Sequence, residues 1–310
     1  MSLMRSVLLA GSESRWLRQQ APRMGFVKKA VTRFMPGEHV DDALKAAAAL
    51  QPQGISTVLT QLGENISDPR EADAVREHYL DVLTRIASTS LNCQISVKPT
   101  QLALDIDKNR CVDNLRALAE RAQALGNFVW IDMEQHRYVD ATLDVYKRVL
   151  ADYPNVGVCL QAYLYRTPKD LASLIPLGGG VRLVKGAYKE PDHVAFPAKK
   201  DVDAAYAELG KQMIGPEAQK SGFRAIFGTH DQTIIRTLQQ HAASTNVPKD
   251  GFEFDLLYGI QRDEQQQLAH GGFRIRVLIS YGEFWFPWYM RRLAERPANV
   301  WFVAKSVFSS

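Results

Sequence analysis

The run Val181-Arg182-Leu183-Val184-Lys185-Gly186-Ala187-Tyr188 decides how the rest of the chain is read. It opens with β-branched and aliphatic residues, the pattern of a buried strand. Arg182 interrupts that pattern and Lys185 ends it. An unpaired buried charge is costly, so two cations in one buried strand imply an anionic partner beside them. Gly186 and Ala187 would let the backbone approach a ligand at the strand's carboxyl end. The same residues also fit an edge strand with solvated cations, and the segment alone does not choose. Seven other runs share its grammar.

Strand-like runs begin at Ile55, Cys93, Asn127, Val156, Phe223, Phe252 and Arg274. Between most of them lie amphipathic patterns, such as Val75, Tyr79, Val82 and Ile86, or Leu143, Tyr146 and Val149. The strand starts average about 31 residues apart, the size of a βα unit. Eight such units imply a parallel sheet closed into a (βα)8 barrel of the TIM type, in the α/β class. A doubly wound open sheet is the competing architecture. No GxGxxG follows the first strand, which counts against a dinucleotide-binding domain of that kind. Gly178-Gly179-Gly180 precedes a strand and reads as a turn. Residues 1–50 read as an N-terminal helical extension ending in an alanine-rich helix, and residues 51–310 as the barrel.

Composition bounds the function. The 310 residues are 46% apolar and 23% charged, with a formal net charge of +4. That balance gives no argument for nucleic acid. No apolar run is long enough to span a bilayer, and the N-terminus lacks a convincing signal-peptide core, so the expectation is a cytoplasmic protein. Cys93, Cys111 and Cys159 form no CxxC pair and read as free thiols in a reducing compartment. The seven histidines show no metal-ligand spacing, and no metal is expected.

In a barrel the active site sits at the carboxyl ends of the strands. Reading those ends gives Glu64, Lys98, Asp132, Gln161, Arg182 with Lys185, Thr229 with His230, Tyr258 and Tyr281. Helices begin there too, so Asp132, Thr229 and Asp231 also fit ordinary N-caps. Cations are disfavoured at helix N-termini, so Lys98, Arg182 and Lys185 imply a cationic pocket floor suited to phosphates, carboxylates or an electron-rich ring. In the last helical stretch, Pro287 starts and Pro297 stops a segment with Trp288, Arg291, Arg292 and Glu295 on one face. A solvated face with an Arg291–Glu295 pair and a bidentate carboxylate grip fit that face equally well.

Assembled, these residues resemble the flavin-dependent proline dehydrogenases in their small monofunctional bacterial form. The resemblance runs over essentially the whole chain. Its most specific parts are VRLVKGAY, the Gly-Thr-His at 228–230, and the terminal YMRRLAERPAN. It implies a barrel whose eighth helix lies over the mouth, with FAD at the carboxyl ends of the strands. Carried over residue by residue, Gln161, Arg182, Lys185, Gly186 and Ala187 would contact the flavin and its ribityl-phosphate part. Met133 would lie near the ring, with Thr229 and His230 at the pyrophosphate–adenine end. Arg182 would sit by the flavin's reactive nitrogen as an electrostatic tuner.

The implied reaction oxidises L-proline to Δ1-pyrroline-5-carboxylate, with hydride passing to FAD and electrons onward to a quinone. Arg291, Arg292 and Lys98 would hold the carboxylate. Asp132 would order the Lys98 end of the pocket, with a role as base left open. Leu257, Tyr258 and Tyr281 would wall the ring, and Glu64 would pair with Arg291 as a gate. A pyrroline-5-carboxylate dehydrogenase would take the product. Where the family carries a YxPYG run, this chain reads Leu278-Ile279-Ser280-Tyr281-Gly282, so the aromatic wall departs from the pattern. The stretch Phe284-Trp285-Phe286-Pro287-Trp288 fits a peripheral membrane contact, or packing onto the barrel. The alternative chemistry is a Schiff-base lyase using Lys185, activated by Arg182 beside it.

Overall fold

The structure is a computed structural model that describes residues 31–63, 66, 68–286 and 288–290. Glu64, Arg291, Arg292 and Glu295 lie outside the described residues. Eight parallel strands close into a barrel in sequence order. They are β1 (Ser56–Gln61), β2 (Cys93–Val97), β3 (Val129–Ile131), β4 (Val156–Gln161), β5 (Gly180–Val184), β6 (Arg224–Gly228), β7 (Glu253–Leu257) and β8 (Arg274–Tyr281). Closure is made by β8 on β1, in register from Ser56 opposite Arg276 to Gln61 opposite Tyr281. The open-sheet alternative is thereby excluded.

Helices alternate with the strands. After α1 (Val40–Leu50) come α2 (Pro69–Ser88), α3 (Lys108–Ala124), α4 (Val139–Leu150) and α5 (Thr167–Leu174). Then follow α6 (Lys199–Met213), α7 (Pro216–Ser221), α8 (Gln232–Ser244) and α9 (Arg262–His270). Their starts follow local chemistry. Asp68 accepts from the Arg70 amide at 2.8 Å and Asp107 from the Asn109 amide at 2.8 Å, satisfying donors that the helix leaves open. The helix stripes pack on the outer face of the barrel, with Tyr79, Ile86, Leu115, Leu118, Tyr146, Val149, Tyr206 and Leu238 essentially buried. Ala43, Leu44, Ala46 and Ala47 of α1 join the same core.

The inside of the barrel is packed differently. Val58, Trp130 and Ile226 form a small apolar plug, with Phe128 and Leu278 against it. Glycine makes room for the indole: a Cβ at Gly157 or Gly180 would lie 2.3 or 2.8 Å from Trp130 ring carbons. The Trp130 Nε1–H donates to Gln94 Oε1 at 2.8 Å. Beside the plug, Arg276 donates to Glu253 at 2.7 and 3.2 Å and to the Thr57 carbonyl at 2.7 Å. Arg224 reaches the same carboxylate at 3.3 Å.

A second apolar cluster joins the segment before α1 to the segment after β8. Val31, Phe34 and Met35 pack with Leu62 and with Trp285, Phe286, Trp288 and Tyr289. Trp285 Nε1 donates to Glu38 at 2.9 Å, and a Cβ at Gly259 would lie 1.7 Å from the Arg33 carbonyl oxygen. Most aromatics of the 284–288 stretch are therefore packed; Phe284 alone of the described ones is exposed, at 73%. No helix among the described residues is long and apolar enough to cross a membrane. The three cysteines are free and buried.

Candidate active site

The carboxyl ends of the strands surround a cavity of about 1050 Å³, slightly above the range usual for small-molecule and cofactor sites. Lys98, Asp132, Met133, Gln161, Arg182, Lys185, Gly186, Ala187, Thr229, His230 and Leu257 all line it, so most of the residues singled out from sequence converge.

Arg182 lies at the floor, 3% exposed, with every guanidinium nitrogen engaged. One terminal nitrogen donates to Asp132 at 2.6 Å and to Ser96 Oγ at 2.7 Å. The other reaches Asp255 at 3.2 Å, and Nε–H points at Cys159 Sγ at 3.0 Å. On the neighbouring strand, Gly228 leaves room for Val184, whose Cγ1 would lie 2.8 Å from a Cβ there. Burial acts to lower the guanidinium's pKa, yet the neighbouring Cys159, Asp132 and Asp255 raise it above its ordinary value. Asp132 also takes Lys98 at 3.1 Å and Ser96 Oγ at 2.7 Å. Burial pushes its carboxyl up, but the Lys98 and Arg182 charges bring it below the ordinary range. Asp132 is thus an ion-pair centre rather than a helix cap.

The expected cationic floor needs correction. Lys98 and Arg182 face Asp132 and Asp255, two charges against two, so the floor is balanced. The anion that the buried cations required is in the chain itself.

Higher in the cavity, Gln161 donates to the Met133 and Glu134 carbonyls at 3.3 and 3.1 Å, which fixes its amide. Its Oε1 is buried and accepts nothing from the described residues. Gly186 has φ of +114°, and a Cβ there would meet the Tyr163 ring at 2.4 Å. Glycine is needed for that backbone conformation and for the close approach of Tyr163, whereas the sequence suggested only ligand approach. Lys185 donates to Asp203 and to Asp231, the latter at 2.8 Å, and Lys199 completes the cluster. The Schiff-base alternative loses its premise here. Arg182 directs its contacts elsewhere, and the Lys185 ammonium is held by two carboxylates. His230 Nε2 accepts from the Leu257 amide at 2.9 Å, which leaves its other nitrogen to carry the proton. Thr229 Oγ1 accepts from the Asp231 amide at 3.1 Å, and Asp231 caps α8 through the Thr233 amide at 3.1 Å.

Two expected wall residues do not reach the cavity. Tyr281 is 1% exposed, and its hydroxyl meets His78 Nε2 on α2 at 2.8 Å. Residues on the inner side of β8 are Arg276, Leu278 and Ser280, so Tyr281 falls on the outer side by alternation. Tyr258, next along from cavity-lining Leu257, stands against Arg262 and does not line it either. Leu257, Leu278 and Trp288 supply the apolar lining instead. The Glu64–Arg291 gate and the Arg291, Arg292 clamp lie outside the described residues. Sequence reading missed Asp255, Cys159, Ser96 and Tyr163. Asp255 carried a signal, because Glu253-Phe254-Asp255-Leu256 alternates acid and apolar residues with a strand's period. No metal-ligand cluster occurs among the described residues.

The sequence model of the family described as proline dehydrogenase matches residues 43–305. The chain belongs to the proline dehydrogenase family. Proline dehydrogenase 1 of Bacillus subtilis (strain 168) is 35% identical over 305 residues, covering 98% of this chain and 99% of that protein. The proline dehydrogenase of Deinococcus radiodurans is 36% identical over 280 residues, 89% of each. Among solved structures, proline utilization A from Bdellovibrio bacteriovorus, inactivated by N-propargylglycine, aligns with a TM-score of 0.79 at 25% identity. That alignment covers 87% of this chain and 33% of that larger one. The chain therefore spans about a third of the larger protein and most or nearly all of the small ones.

Proposed function

We propose that this chain is a flavoenzyme that oxidises L-proline to Δ1-pyrroline-5-carboxylate, with FAD held at the carboxyl ends of the strands. The observation that carries the reading is Arg182, a buried and fully oriented guanidinium at the floor of a cofactor-sized cavity in a member of this family. The donor set fits a flavin. Gln161 presents a buried acceptor with no donor among the described residues, suited to a ring N–H; Met133 and Ala187 offer apolar contact; and the Lys185 and Lys199 ammonium groups, already shared with Asp203 and Asp231, would each have an N–H left for a phosphate oxygen. Thr229 and His230 would hold the far end of the dinucleotide beside the start of α8.

Bound FAD would supply the hydride acceptor. The chain supplies position and charge. Lys98, with Arg291 and Arg292, would take the substrate carboxylate and fix the reacting carbon in the pocket. Arg182, pre-oriented by four partners, would stabilise negative charge developing above it without reorganisation. Leu257, Leu278 and Trp288 would wall the pyrroline ring and exclude water. Asp132 positions Lys98 and Arg182.

In the cell the reading places the protein at the first step of proline catabolism to glutamate, with a quinone as acceptor and a pyrroline-5-carboxylate dehydrogenase downstream. A cytoplasmic protein with peripheral contact at the inner face of the membrane fits exposed Phe284, which follows β8. The test is product formation: purified protein, L-proline and a soluble quinone should yield an imine that an ortho-amino aromatic aldehyde traps. Quinone reduction without trapped imine contradicts the reading.

A further inference from the structure

Asp255 sits in the middle of β7, 5% exposed and lining the same cavity. One of its oxygens accepts from Arg182 at 3.2 Å; the other is buried with no hydrogen-bond partner among the described residues. Asp132, on the opposite side of the same guanidinium, has Arg182, Lys98 and Ser96. One cation is thus shared by two carboxylates in unequal surroundings.

We propose that Asp255 is a positioning residue of the redox centre, holding the second face of Arg182 and setting the net charge beneath the flavin by taking up a proton on reduction. The proposal rests on the flavin reading above. With Asp255 ionised, Lys98 and Arg182 are cancelled by Asp132 and Asp255; with it protonated, the floor carries one net positive charge. Two-electron reduction of a flavin held in this cavity would add negative charge to the site and favour the protonated form of Asp255. The atoms balance. The substrate ammonium releases one N–H proton, its adjacent carbon gives up hydride to the flavin, and the nitrogen lone pair forms the C=N bond of the iminium. The released proton matches the one that Asp255 gains.

The groups facing Asp255 support that response. Arg182 from β5 and Arg276 from β8 favour its ionised form, as does the more distant Arg224 from β6. Glu253 on its own strand opposes it, and Asp132, just past β3, adds a negative charge on the other side of the shared Arg182 guanidinium. Lys98 from β2 is occupied by Asp132. Cys159 from β4 and Tyr206 from α6, both raised by burial, stay neutral. Burial outweighs the cations and pushes the Asp255 carboxyl up to about 6, within reach of a modest change in field.

The test is the midpoint potential of the bound flavin in the holoenzyme from pH 5 to 8.5, for wild type, Asp255→Asn and Asp255→Glu. The expected result is a steeper pH dependence in wild type than in Asp255→Asn, a more positive potential for Asp255→Asn at pH 8, and restoration of the wild-type slope by Asp255→Glu. Equal slopes and potentials in wild type and Asp255→Asn overturn the proposal. Should Asp255→Asn not fold, the wild-type curve decides, because a slope with no proton beyond the flavin's own overturns it too. A protein that binds no flavin contradicts the flavin reading itself, an outcome visible before any potential is measured.

Discussion

Leu278 and Tyr281 lie three positions apart on one strand and face opposite sides of it. Leu278 lines the cavity, while the Tyr281 hydroxyl is paired with His78 behind the sheet. Their replacements should therefore separate. Leu278→Ala is expected to raise KM for L-proline without changing flavin content. Tyr281→Phe should leave KM unaltered and cost about 1 kcal/mol of stability through one lost hydrogen bond. Steady-state kinetics and urea midpoints on both variants check this, and a KM change confined to Tyr281→Phe would reverse the assignment. Gly186 is a second single-residue constraint. Its φ of +114° and the Tyr163 ring 2.4 Å from a would-be Cβ leave no room for a side chain. Gly186→Ala should cost about 1–3 kcal/mol and weaken flavin retention, read as the flavin-to-protein absorbance ratio after gel filtration. Only part of this was legible in sequence. A glycine after VRLVK advertises an unusual backbone, but Tyr163 comes from the end of another strand.

At the scale of elements, the start of α8 combines a cap with an ion cluster. Asp231 accepts from the Thr233 amide and receives Lys185 and Lys199. Burial pushes its carboxyl up, but the Lys185 and Lys199 contacts bring it down to about 2. A carboxyl depressed by folding adds stability above its unfolded pKa of about 4, and that contribution is lost as pH falls through the folded value. Wild type should lose more urea resistance than Asp231→Asn between pH 5 and pH 3. Asp231→Ala should also lose about 1 kcal/mol of capping at neutral pH. Equal acid sensitivity in wild type and Asp231→Asn would remove the ion cluster from the explanation. Inside the barrel, Gly157 on β4 is fixed by its neighbour, since a Cβ would lie 2.3 Å from the enclosed Trp130 ring. Gly157→Ala should destabilise by roughly 1–3 kcal/mol as overpacking does, measured by chemical denaturation. The eight strands were readable because parallel barrel strands are apolar runs at regular spacing. Which face each end residue takes was not, because a strand end misplaced by one residue reverses inside and outside. That is how Tyr258 and Tyr281 came to be expected in the pocket, whereas Asp255 was passed over because it lies in the middle of its strand and not at the end.

Across the whole molecule, the barrel core and the second cluster have different tasks. The barrel core carries the fold. The cluster of Val31, Phe34 and Met35 with Trp285, Phe286 and Trp288 fixes the segment after β8, and Trp288 reaches the cavity wall. Phe34→Ala should therefore raise KM for L-proline while leaving the main unfolding transition nearly unchanged. The reverse pattern would make the cluster part of the core. Pairing of the segment before α1 with the segment after β8 was not readable from periodicity, because the two lie about 250 residues apart in different local contexts.

We propose that the cavity floored by Arg182 holds FAD and that L-proline reduces it there. Its most direct test is the visible absorption spectrum of the purified protein, before and after L-proline is added without oxygen. A flavin spectrum that bleaches on addition is the predicted result. A protein that stays colourless after incubation with FAD, or a flavin that L-proline leaves oxidised, would contradict it.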